Sequence, residues 1–461
     1  MPVSETTQIC VYITLGLLIL MVELGRPRPF PYDILTLFNL SYFLYFVVAP
    51  LHLILGGSAY TRQDWIFHAH GAGSISIALW IFVSYILVIL GYIVTPHVQS
   101  LNKTGTLDPL VWRIAAAVSF SLGVLGFVAY AAVVGSVSAA ILKASFIRQG
   151  TVEVSGGLFF MKHFISMLIS GTFFLFVVAH ERRQKAHLDF SFALKWIAVF
   201  FVVVVFVGLV EQGRRVVLFP IVVLFLLLSN YYTRWNGRAL LALFPVSIGV
   251  MVFWDVFGWI LGGEVHLDRL YDRVATLGYA YQMAFRPMAD AYIHWVKMIH
   301  YDGELWAFQD FLSWPLHLVP GSLVGPVSVP TVLEHTTWFI RGMSNQDIAG
   351  EPPAFHGYFY MSGGVPGLLI GSAAYGTVLR ILHGLTRPSP STLGSHLVYL
   401  WIAIGAVYFV RHGMFLSIIL ERFHWWVGLA LVLIVGLMIR TGRSAAQTPN
   451  RGHLEKSRDP A

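Results

Sequence analysis

An all-α, polytopic integral membrane protein is what this sequence predicts, on three observations. Its mean hydropathy is +0.70. Its hydrophobic residues, 57% of the chain, so outnumber the 11% that are charged that no water-soluble surface of this size can be built from them. Its apolar residues come in continuous runs of roughly 14 to 24, near the length a helix rising ~1.5 Å per residue needs to cross ~30 Å of hydrocarbon. The runs do not alternate in polarity, so helices rather than a β-barrel follow.

Taken in order, the expected spans are 9–24, 33–55, 73–94, 112–133, 158–178, 191–210, 216–229, 239–261, 359–382, 396–410 and 425–439, about eleven helices in all. The first has no basic residue before it and Arg26 and Arg28 after it, the reverse of a cleavable signal, and is expected to be retained. Lys and Arg alternate between loops. Arg26 and Arg28, Lys103, Arg182 to Lys185, Arg234 and Arg238, Arg380 and Arg387 and the tail from Arg440 form one set, with Lys143 and Arg148 as exceptions on the other side. That asymmetry predicts an N-terminus outside and a C-terminus in the cytoplasm of a bacterial inner membrane. The net charge of +7 is thereby accounted for by topology and not by nucleic acid, since the basic residues sit in short loops and not in a domain. The lone cysteine, Cys10, excludes a disulfide framework.

The whole chain, 1–461, reads as one polytopic domain with a cytoplasmic tail over 441–461 and a single long interruption between helices 8 and 9. That interruption, 262–358, holds roughly 95 residues, far beyond an ordinary connection, and is expected on the periplasmic side. From 266 to 301 its aromatic and aliphatic residues, among them Tyr279, Met283, Tyr292, Trp295 and Ile299, recur at helical spacing. This predicts one or two amphipathic helices lying on the bilayer surface. From 314 to 353 proline and glycine predict an irregular cap.

Charge that topology does not call for marks the candidate site. Arg214 and Arg215 follow Gly213 in a tight turn on the outer side. Their guanidinium forks suit a phosphate or diphosphate, although arginines snorkelling to lipid headgroups read the same way. Arg411, His412, Glu421 and Arg422 form a second outer cluster within an apolar sequence, where a charge is costly unless paired or wet. Glu351 and His356 stand where the long segment re-enters the membrane and are the general-base candidates; a capping glutamate and a packed histidine are the bland alternatives. Arg286, Asp290, His294, Lys297, His300, Asp302 and Asp310 recur along one helical face, which reads more readily as solvated than as sugar-binding. Trp306, Trp314 and Trp338 suit sugar stacking and membrane interfaces alike. His68, His70 and Asp64 lack a firm further ligand, so no metal is expected. No phosphate-cradling loop, nucleophile elbow or zinc-protease motif is present.

The layout resembles the Wzy-type polymerases of O-antigen, enterobacterial common antigen and exopolysaccharide repeat units. The resemblance rests on Gly213-Arg214-Arg215 at the outer start of a mid-chain helix and on the aromatic and proline stretch 311–321 of the long segment. It rests also on the small-residue helix entry 357–367, and on Arg411-His412-Gly413 with Arg422 eleven residues on. It implies a glycosyltransferase without metal or other cofactor that joins undecaprenyl-diphosphate-linked oligosaccharides at the periplasmic face. Arg215 and Arg411, helped by Arg214, Arg286 and Arg422, would hold the donor diphosphate, with Glu351 or His356 acting on the acceptor hydroxyl. Its partners would be the bilayer, a chain-length regulator and a flippase. An O-antigen ligase-type transferase shares the layout, and a flippase or transporter is the reading from a different class.

Overall fold

The computed structural model describes residues 3–27, 32–56, 66–71, 74–98, 107–144, 147, 161–183, 190–211, 214–232, 249, 277–309, 313, 331–341, 351–388, 392–414 and 423–446. Among them the regular structure is helical, without strands. In chain order the helices are α1 (Val3–Gly25), α2 (Ile34–Ile54), α3 (Ile75–Val94), α4 (Pro109–Val134), the short α5 (Val137–Leu142), α6 (Lys162–Arg183), α7 (Phe190–Glu211) and α8 (Arg214–Tyr232). After these come α9 (Leu277–Met298), α10 (Val332–Arg341), α11 (Ala354–Thr386), α12 (Leu393–His412) and α13 (Phe423–Ala446). Among the described residues nine of them (α1 to α4, α6, α7 and α11 to α13) are long and apolar enough to cross a membrane, and α8 adds the shorter apolar run Val216–Leu228. The expected span 239–261 lies outside the described residues but for Gly249. Leu17, Met21, Phe201, Val202, Ile370 and Leu433 are all more than half exposed on α1, α7, α11 and α13, a greasy exterior that belongs in lipid.

Two apolar cores lie side by side. One is shared by α1, α2, α3, α9 and α11, the other by α4, α6, α7, α8 and α13, and α12 serves both, giving Tyr399 and Phe409 to the first and Leu400 and Trp401 to the second. In lipid, helices gain little from burying apolar surface against each other, so close backbone approach matters more. At the crossing of α3 and α11 a Cβ on Gly91 would strike the Ala373 carbonyl and one on Gly376 the Val88 carbonyl. The helices gather charge at two opposite ends. At one end Arg26 bonds both oxygens of Asp33, the N-cap of α2, and also Glu23, whose carboxylate accepts from Thr36 and Asn39.

Three expectations are corrected here. The polar row of the 266–301 stretch belongs to a helix, α9, that does not lie free on a bilayer surface. Ala289 and Tyr292 to Val296 are almost wholly buried in the first core, because the run Ala-Tyr-Ile-His-Trp-Val leaves little polar surface to expose. The 314–353 cap contains helix α10, started by a reciprocal capping box in which Thr331 N–H donates to Glu334 and Glu334 N–H to the Thr331 hydroxyl. The span expected at 359–382 is longer and broken. Gly363 and Gly364 leave helical geometry, and Gly364 takes φ 60°, ψ −149°, a region open in practice to glycine alone. The short arm 354–362 folds back on the long arm 365–386, with the Phe359 ring against Gly371.

Candidate functional site

Arg286, Asp290 and His294 are spaced four apart on α9 and so share one face. The flanking Tyr292, Trp295 and Val296 draw that helix inward and carry His294 with it, to 1% exposure. Its Nε2 lies 2.8 Å from Oε2 of Glu351, ion-pair distance though off the line of a hydrogen bond. Glu351 is itself held by α10. Its N–H donates to the Thr337 hydroxyl at 2.8 Å, and its carbonyl accepts from the Thr336 hydroxyl at 2.6 Å. The glutamate side chain is thereby presented from a fixed backbone, nine-tenths buried.

Arg411 reaches the same place from α12. That helix ends at Gly413, which adopts φ 59° and sits directly on the carbonyl of Ala354, three residues after Glu351. A Cβ at Gly413 would strike that carbonyl, so the glycine is what lets the Arg411 turn and the Glu351 turn meet. Arg286, exposed, stands 4.0 Å from Asp290. Burial pushes the Asp290 carboxyl above its ordinary range, with Glu351 adding to the push, while His294, Arg411 and Arg286 all pull it down. Five titratable groups from three distant stretches therefore share one electrostatic neighbourhood: Arg286, Asp290, His294, Glu351 and Arg411. An arginine pair beside a buried carboxylate can hold a polyanion and place a proton acceptor next to it.

Three of the residues expected at the site, Glu351, Arg411 and Arg286, are brought together here. Arg214 and Arg215 open α8, and Phe219 in that helix packs on Tyr408 of α12, ring centroids 5.6 Å apart, so the start of α8 lies at the Arg411 end. The two arginine side chains, and the whole of Glu421 and Arg422, lie outside the described residues. His356 does not join the cluster. It is 0% exposed among the rings of Phe46, Phe355 and Trp295, and its Nε2 is 2.8 Å from the Tyr42 hydroxyl. Tyr42 donates its own proton to the Ile81 carbonyl, so Nε2 of His356 must carry the proton it shares with Tyr42. Of the two readings of His356, the geometry is that of the packed histidine. The solvated reading of the α9 face is corrected for His294, which is buried together with Tyr292, Ile293, Trp295 and Val296, while the Asp290 side chain keeps 23% of its surface exposed. Among the described residues no three His, Cys, Asp or Glu are grouped as a metal would require.

Fold and cluster together define an all-α polytopic membrane protein whose charged groups converge at one end of the helices. Comparison with protein-family models, curated proteins and solved structures gives no match for this chain.

Proposed function

We propose that the chain is a membrane glycosyltransferase that polymerises undecaprenyl-diphosphate-linked oligosaccharide repeat units at the outer face of the bacterial inner membrane. The observation that carries this reading is the meeting of a buried carboxylate, Glu351, with Arg411 and Arg286 at one helix end. Arg411 and Arg286, with Arg214 and Arg215 from the neighbouring start of α8, hold the donor diphosphate and offset the charge that grows on it as it leaves. Glu351 accepts the proton of the acceptor sugar hydroxyl, whose oxygen forms the new bond to the anomeric carbon. The bond from that carbon to the diphosphate breaks, and undecaprenyl diphosphate departs with its electron pair. His294 fixes the Glu351 carboxylate and stabilises its charge when protonated. Charged groups at a helix end, and not at mid-span, fit a reaction on a lipid headgroup better than a translocation path.

The test is a purified transfer assay with separate measurement of donor binding. Glu351→Gln is expected to slow transfer by about a hundredfold or more while donor affinity holds, as loss of a general base does. Arg411→Ala is expected to weaken donor binding and abolish polymer without loss of membrane insertion. Equal losses of binding and transfer in Glu351→Gln would reduce that residue to a structural role.

A further inference from the structure

Beside the cluster, between the loop 301–309 and α10, lies a cleft of about 330 Å³. Trp306, Trp338 and Phe339 supply its aromatic walls, and Asp302, Glu304 and Gln309 its polar groups. Trp338 keeps 57% of its surface exposed, an unusual cost for so large an apolar side chain. Tyr301 donates its hydroxyl proton to the Glu304 carbonyl at 2.7 Å, so Nε2 of His335, 2.8 Å away, donates to Tyr301. Partial burial pushes the His335 imidazole below its ordinary value. The lining holds two acidic side chains and neither lysine nor arginine. Lys297 places its ammonium over the Phe339 ring, 5.2 Å from the centroid, and does not line the cleft.

The loop is fixed in an unusual way. The break in α11 frees two carbonyls, and the loop satisfies them: Trp306 N–H donates to Met361 at 2.8 Å and Ala307 N–H to Ser362 at 3.1 Å. Holding those bonds puts Ala307 at φ 49° and Phe308 at φ 60°, a left-handed backbone that non-glycine residues adopt at a cost and that concentrates at ligand sites. Aromatic faces flanked by carboxylate and amide acceptors are what a sugar ring needs, since its C–H face packs on the ring and its hydroxyls donate to the rim.

We propose that this cleft is a saccharide subsite that takes neutral or amine-bearing sugar of the oligosaccharide, across α10 from Glu351. The geometry of α10 supports the placement. His335, Trp338 and Phe339 face the cleft while Thr336 and Thr337, roughly opposite around the helix, hold the Glu351 backbone. A sugar stacked on Trp338 thus lies about one helix diameter, ~10 Å, from the carboxylate. The proposal rests on the glycan-transfer reading for the identity of the oligosaccharide, and it excludes uronates and other anionic sugars from this position.

The experiment uses full-length protein in lipid nanodiscs and, as probe, the repeat-unit oligosaccharide of the producing cells, released from its lipid carrier, with binding measured by calorimetry. Wild type is expected to bind; Trp338→Ala to bind about tenfold or more weakly; Trp338→Phe to recover most of the loss; and Asp302→Asn with Glu304→Gln to weaken binding with Trp338 intact. Arg411→Ala is expected to bind the released oligosaccharide as wild type does, because the probe carries no diphosphate. Absence of binding to wild type, or equal binding to wild type and Trp338→Ala, would overturn the subsite. Normal polymer in cells lacking the protein, with Trp338-dependent binding preserved, would remove the polymerase reading and leave the subsite standing.

Discussion

Asp290 is the residue through which pH should reach the proposed reaction. Burial raises its carboxyl, with Glu351 adding, and His294, Arg411 and Arg286 oppose without cancelling the rise. A raised carboxyl is held protonated in the folded protein over a range where it would ionise in the unfolded chain, so its contribution to stability is present at low pH and declines as pH rises. The same ionisation acts on the site. While Asp290 is neutral it takes nothing from the field that Arg411 and Arg286 present to the diphosphate; once it is charged it offsets part of that field. Donor affinity should therefore fall as pH rises through the Asp290 transition, and Asp290→Asn should flatten that limb and keep the low-pH affinity. A pH series of donor binding on the two proteins checks this, and an unchanged limb in the variant would assign the titration elsewhere. Sequence alone made Arg286, Glu351 and Arg411 legible because charge in an apolar chain is conspicuous. It left His294 and Asp290 ambiguous because a helical face with four-residue spacing looks the same wet or buried until its partner helices are known. His356 stays ambiguous in the sequence for the complementary reason. A histidine at a membrane re-entry point suggests proton transfer, and only the ring of Phe46, Phe355 and Trp295 around it and the bond to Tyr42 show that it is packed.

At the scale of elements, two glycines that each stand where a helix stops should behave in opposite ways. Gly413 closes α12 at φ 59° and lies against the Ala354 carbonyl, so Gly413→Ala meets both backbone strain of about 1–2 kcal/mol and a collision with the turn that follows Glu351. Gly363 keeps a negative φ of −158°, outside the left-handed region, and has open space where a Cβ would go, so Gly363→Ala should stay within about 1 kcal/mol of wild type in either direction. Thermal unfolding in detergent measures the contrast, and the transfer assay should show activity lost in the first variant with Arg411 still present. Equal stability and activity in the two would mean that the contact of α12 with the start of α11 does not position the site. Most helices were legible in the sequence because run length and hydropathy fix them, as for α3 and α7. The break in α11 was not, since Gly363 and Gly364 also suit tight helix packing, and only the loop that caps Met361 and Ser362 shows that those carbonyls have been released. Helix α10 was legible in principle, through the Thr331 to Glu334 capping box, but the prolines and glycines around it masked so short a segment.

For the whole molecule, the division of charge between the two helix ends is the feature that sorts the competing activities. The Arg26, Asp33 and Glu23 network at one end is closed: Asp33 is 1% exposed, both of its oxygens bond Arg26, and the Glu23 oxygens accept from Thr36 and Asn39. Such a group ties α1 to α2 and offers little to a substrate. The opposite end is built differently, with Arg286 exposed, Arg411 partly exposed and Glu351 nearly buried, so that charge there stays open to the surroundings. A flippase has to carry a diphosphate between the two ends, and the Arg26 network, with its carboxylates already bonded to Arg26, Thr36 and Asn39, is a poor landing place for it. A transferase needs only the open end. In cells lacking the protein, the glycan profile resolved by size should accordingly collapse from a ladder to a single repeat unit, with that unit still delivered to the outer leaflet. Wild type should restore the ladder and Arg411→Ala should not. Full-length polymer left on its lipid carrier would make the protein a ligase using the same cluster, and loss of every outer-leaflet repeat unit would make it a flippase.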